Sequence, residues 1–191
     1  PTAYDLPSDE EAERLIHAVI DMGIGVIDTA PAYGLSEARL GAALGSRRAE
    51  IFLSSKVGEV FERGSSTYDF TERACAESLT RSLDKLRTQR LDLVWVHSNG
   101  DDQAILREGG AVRALAHAKA DGRVGAIGFS PKSQSGALAA IEQSDVDALM
   151  LEYHPRDAIM APAIAAAGAA GKAVFVKKPL ASGHLADARA Q

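Results

Sequence analysis

Short apolar runs alternate with stretches in which apolar residues recur every three or four positions, and this alternation continues along almost the whole chain. Ser8 and Glu11 read as a capping box ahead of Ala12, Leu15, Ile16, Val19 and Ile20 at helical spacing, and Gly23 closes that helix. The run 24–27 predicts a strand leading to Asp28. Ser36 opens a second helix carrying Leu40 and Leu44, and the run 51–55 predicts a strand that reaches Lys56. A long loop is expected over 57–70. Beyond it the pattern gives a helix with Leu79, Leu83 and Leu86, a strand over 91–96 leading into His97, and a helix through Leu115 to Ala118. A strand over 124–128, a short helix over 137–141, a strand over 148–151, an Ala-rich helix over 161–170 and a strand over 173–176 complete the series.

About six short apolar strands separated by amphipathic helices require parallel pairing with right-handed crossovers, in an open doubly wound sheet or a closed barrel. No Gly-rich phosphate fingerprint follows any strand, which weighs against the dinucleotide-binding open sheet. Polar residues stand instead at the C-terminal ends of different strands: Asp28, Lys56, His97, Ser130, Glu152 and Lys177. That placement suits the catalytic face of a (β/α)8 barrel. Such barrels take about 250 residues and eight strands. This chain is therefore read as one domain over 1–191, a barrel represented by about six strands and incomplete at both ends. The expectation is a longer natural protein, because an open barrel leaves two strand edges unpaired.

Composition adds limits. The chain has 191 residues, 46% of them hydrophobic and 25% charged, which is enough apolar surface for a core and excludes disorder as the main state. A net charge of −5 without a basic patch argues against a nucleic-acid partner. Cys75 is the lone cysteine, so no intrachain disulfide forms and a reducing cytoplasm is expected. No run approaches the roughly 20 apolar residues of a membrane span, and the first residues do not read as a signal peptide. No His-x-His or Cys cluster suggests a metal site.

The motifs fall in a definite order: Asp28-Thr29-Ala30, Tyr33-Gly34, Ser36-Glu37 and Leu40-Gly41, then Ser54-Ser55-Lys56, then Leu91-Asp92-Leu93 up to His97. Gly125-Ala126-Ile127-Gly128-Phe129-Ser130, Glu152-Tyr153-His154-Pro155 and Pro179-Leu180-Ala181-Ser182-Gly183 follow. On these residues the chain resembles an aldo-keto reductase over nearly its whole length. The resemblance implies NAD(P)H-dependent reduction of a small aldehyde or ketone, with NADP the expected cofactor and NAD a second possibility. It also implies Asp28, Tyr33, Lys56 and His97 as the catalytic set. Ser130, Lys177, Lys178 and the backbone of Leu180 and Ser182 are the candidate cofactor contacts. Three positions depart from the family pattern at the nicotinamide: Pro131 follows Ser130 where an Asn is common, Met150 replaces a Gln, and Lys177 replaces a stacking aromatic. The family's adenosine 2′-phosphate site falls beyond Gln191.

The chemistry of these side chains agrees with that role. Hydride arriving at a carbonyl carbon leaves charge on oxygen, which a nearby donor must protonate. A phenol with pKa near 10 is sluggish in that role, and a lysine about 4 Å away at an effective dielectric of about 20 offers about 4 kcal/mol to the phenolate as an upper bound. Lys56 is expected to lower the Tyr33 pKa in this way, with Asp28 orienting Lys56 and His97 holding the substrate carbonyl. Singly, Asp28 and Lys56 also suit a helix cap or a structural ion pair. Trp95 shares the face of His97 and is expected to fill the barrel. Two other readings stand beside this one: a cofactor-sensing regulatory barrel, and a lyase or isomerase using Lys56 as a Schiff-base nucleophile.

Overall fold

The computed structural model of the chain describes residues 7–185. Its elements are, in order, α1 (Asp9–Asp21), β1 (Val26–Asp28), α2 (Ser36–Leu44), β2 (Phe52–Val57), β3 (Glu59–Glu62), β4 (Ser65–Tyr68), α3 (Glu72–Lys85) and β5 (Leu91–His97). Then come α4 (Asp102–Glu108), α5 (Gly110–Ala120), β6 (Val124–Ser130), α6 (Gln134–Ile141), β7 (Ala148–Glu152), α7 (Ala161–Ala169) and β8 (Ala173–Lys177). Six strands form one sheet in the order β1-β2-β5-β6-β7-β8, parallel throughout, and β3 pairs with β4 in a separate hairpin. With helices alternating between its strands, the sheet is a half-barrel, a partial (β/α)8 architecture.

Period-2 alternation divides the side chains between two faces. Leu53, Val57, Val94, Val96, Ile127, Phe129, Leu149 and Leu151 point to the helices and join the main core with Leu40, Leu79 and Leu115. Leu93, Trp95, Ala148 and Met150 pack on the concave side with Phe52, Ala126 and Phe175. Trp95 is fully buried and meets the edge of Phe175 at 5.0 Å between ring centroids, so it fills the barrel as expected. Its room comes from Gly128, directly opposite in the register, where a Cβ would sit 2.1 Å from the indole ring. Gly128→Ala is therefore expected to cost about 2 kcal/mol of stability through overpacking, read as a lower urea midpoint with an unchanged slope.

Two local expectations are corrected, and one helix is added to those the pattern gave. The segment 57–70 is not a plain loop, since it contains the β3–β4 hairpin, closed by Arg63 at φ +50° and Gly64 at φ +82°. Two successive positive φ values match the twist of a two-residue hairpin turn, and an Arg-Gly pair is a weaker signal for it than Asn-Gly. The helix read through Leu115 is preceded by a separate one, because Gly109 at φ +67° ends α4 before α5 begins. Ser36 does not cap α2. Its hydroxyl accepts a hydrogen bond from Thr29 Oγ1 at 2.8 Å, and Leu35 precedes the helix without a side-chain cap.

Candidate active site

Because β1, β2, β5, β6, β7 and β8 run parallel, the ends of these strands converge on one rim. Asp28 is in register with Ser54, His97 with Ser130, and Glu152 with Lys177. Asp28, His97, Ser130, Glu152 and Lys177 fall in phase with the concave-face side chains of their strands, two positions on from Trp95 in the case of His97, so alternation directs them inward. They surround a cavity of about 750 Å³ with Tyr33, Lys56, Met150, Phe175 and Lys178 on its walls. All four residues of the expected catalytic set reach this one space.

Lys56 is 1% exposed, and its ammonium makes an ion pair with Asp28 and donates to the Thr29 carbonyl at 2.9 Å. Asp28 accepts a further hydrogen bond from Ser54 Oγ at 2.6 Å, which fixes the carboxylate from the next strand. Burial pulls the Lys56 pKa below the ordinary lysine value, against Asp28, Glu37 and Glu59, which favour the charge. The ammonium lies over the Tyr33 ring, 4.9 Å from its centroid. The expectation that Lys56 lowers the phenol's pKa is not met. Burial, followed by the carboxylates of Asp28 and Glu59, pushes Tyr33 up to about 12. Tyr33 is 48% exposed, so the two carboxylates are the firmer part of that cause. Burial and the two carboxylates act against ionisation of the phenol, and the Lys56 cation beside the ring does not outweigh them.

His97 has a partner that sequence reasoning missed. Its Nδ1 lies 2.7 Å from Oε2 of Glu59, although the carboxylate sits off the N–H axis and Nδ1 completes no hydrogen bond at ordinary angles. Glu59 comes from the β3–β4 hairpin and accepts from Ser66 Oγ at 2.6 Å and from the Tyr68 hydroxyl at 2.9 Å. The only available signal was the period-2 spacing of Glu59, Phe61, Ser66 and Tyr68 about Arg63-Gly64.

Burial holds His97 down to about 4, with Lys56, Lys177 and Lys132 adding to the effect and Glu59 opposing it. Between its ordinary value of 6.5 and about 4, the unfolded chain binds a proton that the folded chain refuses. Stability from this group is therefore lost as pH falls through that window, at no more than about 1.4 kcal/mol per pH unit. The urea midpoint is expected to drop between pH 7 and pH 5 by the equivalent of about 1–2 kcal/mol, and His97→Gln should flatten that slope.

The candidate cofactor contacts divide. Lys177 is half-buried, its pKa lowered by burial and then by Lys178, and it donates to Ser130 Oγ at 3.1 Å. Lys178 pairs with Glu152 at 2.6 Å. Leu180 and Ser182 do not line the cavity; they lie on the turn beyond β8, where Lys178, Ala181 and Ser182 all have positive φ. Neither of their N–H groups has a hydrogen-bond acceptor among the described residues. A cationic side chain on a buried hydroxyl, beside uncommitted backbone donors, suits an anionic diphosphate.

The family model for the Aldo/keto reductase family matches residues 2–191. The chain belongs to this family. It is 33% identical over 167 residues to D-threo-aldose 1-dehydrogenase of a Pseudomonas species, a match covering 75% of this chain and 51% of that protein. A solved Pseudomonas aeruginosa structure assigned to the same family is 42% identical, covers 91% of this chain and 68% of its own, and superposes with a TM-score of 0.86. An aldo-keto reductase from Klebsiella pneumoniae in complex with NADPH is 25% identical, with a TM-score of 0.77 over 94% of this chain and 61% of its own. This aldo-keto reductase chain spans about half the length of the curated relatives it matches. No helix among its described residues is long and apolar enough to cross a membrane.

Proposed function

We propose that this chain carries the active site of an NAD(P)H-dependent reductase that converts a small aldehyde or ketone to an alcohol. The observation that carries the reading is the Asp28–Lys56–Tyr33 cluster, assembled from two strands and a loop at the wall of one cavity, with His97 beside it. A bound reduced nicotinamide, NADPH by preference, would supply hydride to the carbonyl carbon and leave as NADP+. Ser130 and Lys177 would hold the cofactor from the rim, aided by the N–H groups of Leu180 and Ser182, while Lys178 acts through its pair with Glu152. The Klebsiella relative's NADPH supports this choice of cofactor.

Tyr33 then acts as the proton donor. A phenol held up at about 12 keeps its proton throughout the neutral range but is a weak acid, so donation rests on the Lys56 cation stabilising the phenolate as charge develops on the carbonyl oxygen. The phenolate left behind lies under the Lys56 ammonium, 4.9 Å from the ring centroid, where unit charges about 5 Å apart at an effective dielectric near 20 attract by about 3 kcal/mol before the neighbouring carboxylates are counted. Asp28 keeps that ammonium charged and aimed. His97 fixes the substrate's angle by one further hydrogen bond.

The Schiff-base reading fits the geometry less well, because the Lys56 nitrogen is enclosed and committed to Asp28 and Thr29. The deciding experiment mixes the full chain with NADPH and an aromatic aldehyde and follows the nicotinamide absorbance. Steady loss of absorbance supports the reductase. Tight NADPH binding without turnover would favour the regulatory barrel, and borohydride trapping of a substrate on Lys56 the lyase.

A further inference from the structure

A carboxylate that does not line the cavity ties two of the strand exits that do. Asp102 is the first residue of α4 and is 1% exposed. It accepts from four donors: the Ser98 hydroxyl at 2.5 Å, the Lys132 N–H at 3.2 Å to both oxygens, the Ser133 N–H at 2.9 Å and the Ser133 hydroxyl at 2.6 Å. Ser98 directly follows His97 at the end of β5, and Lys132 and Ser133 follow Ser130 and Pro131 at the end of β6. Taking a carboxylate out of water is costly unless donors replace the water, and here donors from two loops replace it. Gly136 in α6 provides the room, since a Cβ there would come within 2.2 Å of the Asp102 Oδ2. Capping does not account for this arrangement: α4 receives no side-chain cap, and the cap of α6 is Ser133, whose hydroxyl accepts from the Gly136 N–H at 3.0 Å.

The segment that Asp102 holds carries the acceptors of a cavity lysine. The Lys177 ammonium donates to Ser130 Oγ at 3.1 Å and to the Pro131 carbonyl at 3.5 Å, its hydrogen-bond acceptors among the described residues. Pro131 stiffens the link through its fixed φ. We propose that Asp102 is a positioning residue for cofactor binding, holding the segment 130–133 so that the Ser130 hydroxyl and the Lys177 ammonium stand ready for an anionic diphosphate. The proposal rests on the reductase reading above. Asp102 touches neither cofactor nor substrate and acts through Ser130 and Lys177, as a supporting group does for a site that must be formed before its ligand arrives.

The test uses the full chain and NADPH. Asp102→Ala should raise the Kd for NADPH by about tenfold or more while kcat at saturating cofactor stays within about threefold of the parent. An unchanged Kd, or a loss confined to kcat, overturns the proposal. Asp102→Asn keeps an oxygen for the Ser133 donors and can turn its amide to the Ser98 oxygen, so its Kd should stay within about threefold; an Asn variant as weak as Ala overturns the holding role. Should the Ala variant not fold, Ser133→Ala removes one bond from the segment and should raise the Kd about threefold, and no rise counts against the proposal. Val124→Ala, a buried truncation at the opposite end of β6, should lower the urea midpoint and leave the Kd unchanged; an equal rise in Kd there would reduce the effect to lost stability. With Lys177→Met already present, Asp102→Ala should weaken binding little further, and full additivity overturns the route through Lys177. Amide exchange at Lys132 and Ser133 should speed up at least about tenfold in Asp102→Ala, and unchanged exchange overturns the holding role whatever the cofactor does. Failure of the parent to bind NADPH refutes the reductase reading and with it the cofactor role, while exchange still decides whether Asp102 holds the segment.

Discussion

Replacing Tyr33 with Phe is expected to lower kcat for aldehyde reduction by about a hundredfold to ten-thousandfold, the usual contribution of a positioned acid, while the cofactor Kd changes little. The hydroxyl is the single group removed. The ring remains, and with it the surface over which the Lys56 ammonium lies 4.9 Å from the centroid. A loss confined to kcat marks an interaction made only in the transition state; a rise in KM alone would mark ordinary substrate binding. Stopped-flow turnover together with nicotinamide fluorescence titration of both proteins separates the two. Equal reduction rates in the Phe variant and the parent would remove Tyr33 as the donor.

Lys56→Met should harm both activity and stability, for separate reasons. Activity is expected to fall about a hundredfold or more, because the phenolate formed after proton transfer loses the cation lying over its ring. Stability is expected to fall by about 2 kcal/mol: Asp28 loses its ion partner, though its partly exposed side chain and the bond from Ser54 spare it the full penalty of a buried lone charge. Removing Asp28 as well distinguishes the effects. The double variant Asp28→Asn with Lys56→Met should recover most of the lost urea midpoint, since two matched neutral groups replace an ion pair, and none of the lost turnover. Recovery of both would mean that Lys56 serves the fold alone.

Much of this site is legible in the chain alone. Asp28, Lys56, His97, Ser130, Glu152 and Lys177 each end an apolar run, and parallel strands with helical crossovers bring strand ends to one rim. The pattern makes Tyr33 and Lys56 neighbours, and they are. Their electrostatic relation is not legible in the same way, because an estimate from one pair of charges omits Asp28 on the ammonium and Glu59 near the phenol. The hairpin escapes the pattern for a different reason. Its second strand Ser65–Tyr68 is exposed along its length and carries no aliphatic residue, so no hydrophobic alternation marks it. The Gly109 break between α4 and α5 is likewise masked by apolar positions continuing at helical spacing on both sides of it.

The sequence by itself determined the strand–helix alternation, the parallel sheet and the rim on which Asp28, Lys56, His97, Ser130, Glu152 and Lys177 stand, because these follow from periodicity and from which residue ends each strand, while the choice of Asp28, Tyr33, Lys56 and His97 as the candidate catalytic set came from the family resemblance. Only the tertiary structure decided that Glu59 meets His97, that Lys177 takes the Ser130 hydroxyl, and that the Tyr33 phenol is pushed up and not down. Those outcomes depend on distances between elements far apart in the chain. Electrostatic effects fall off with separation and are cancelled by neighbours, so they are fixed only when every charge around the cavity has its place.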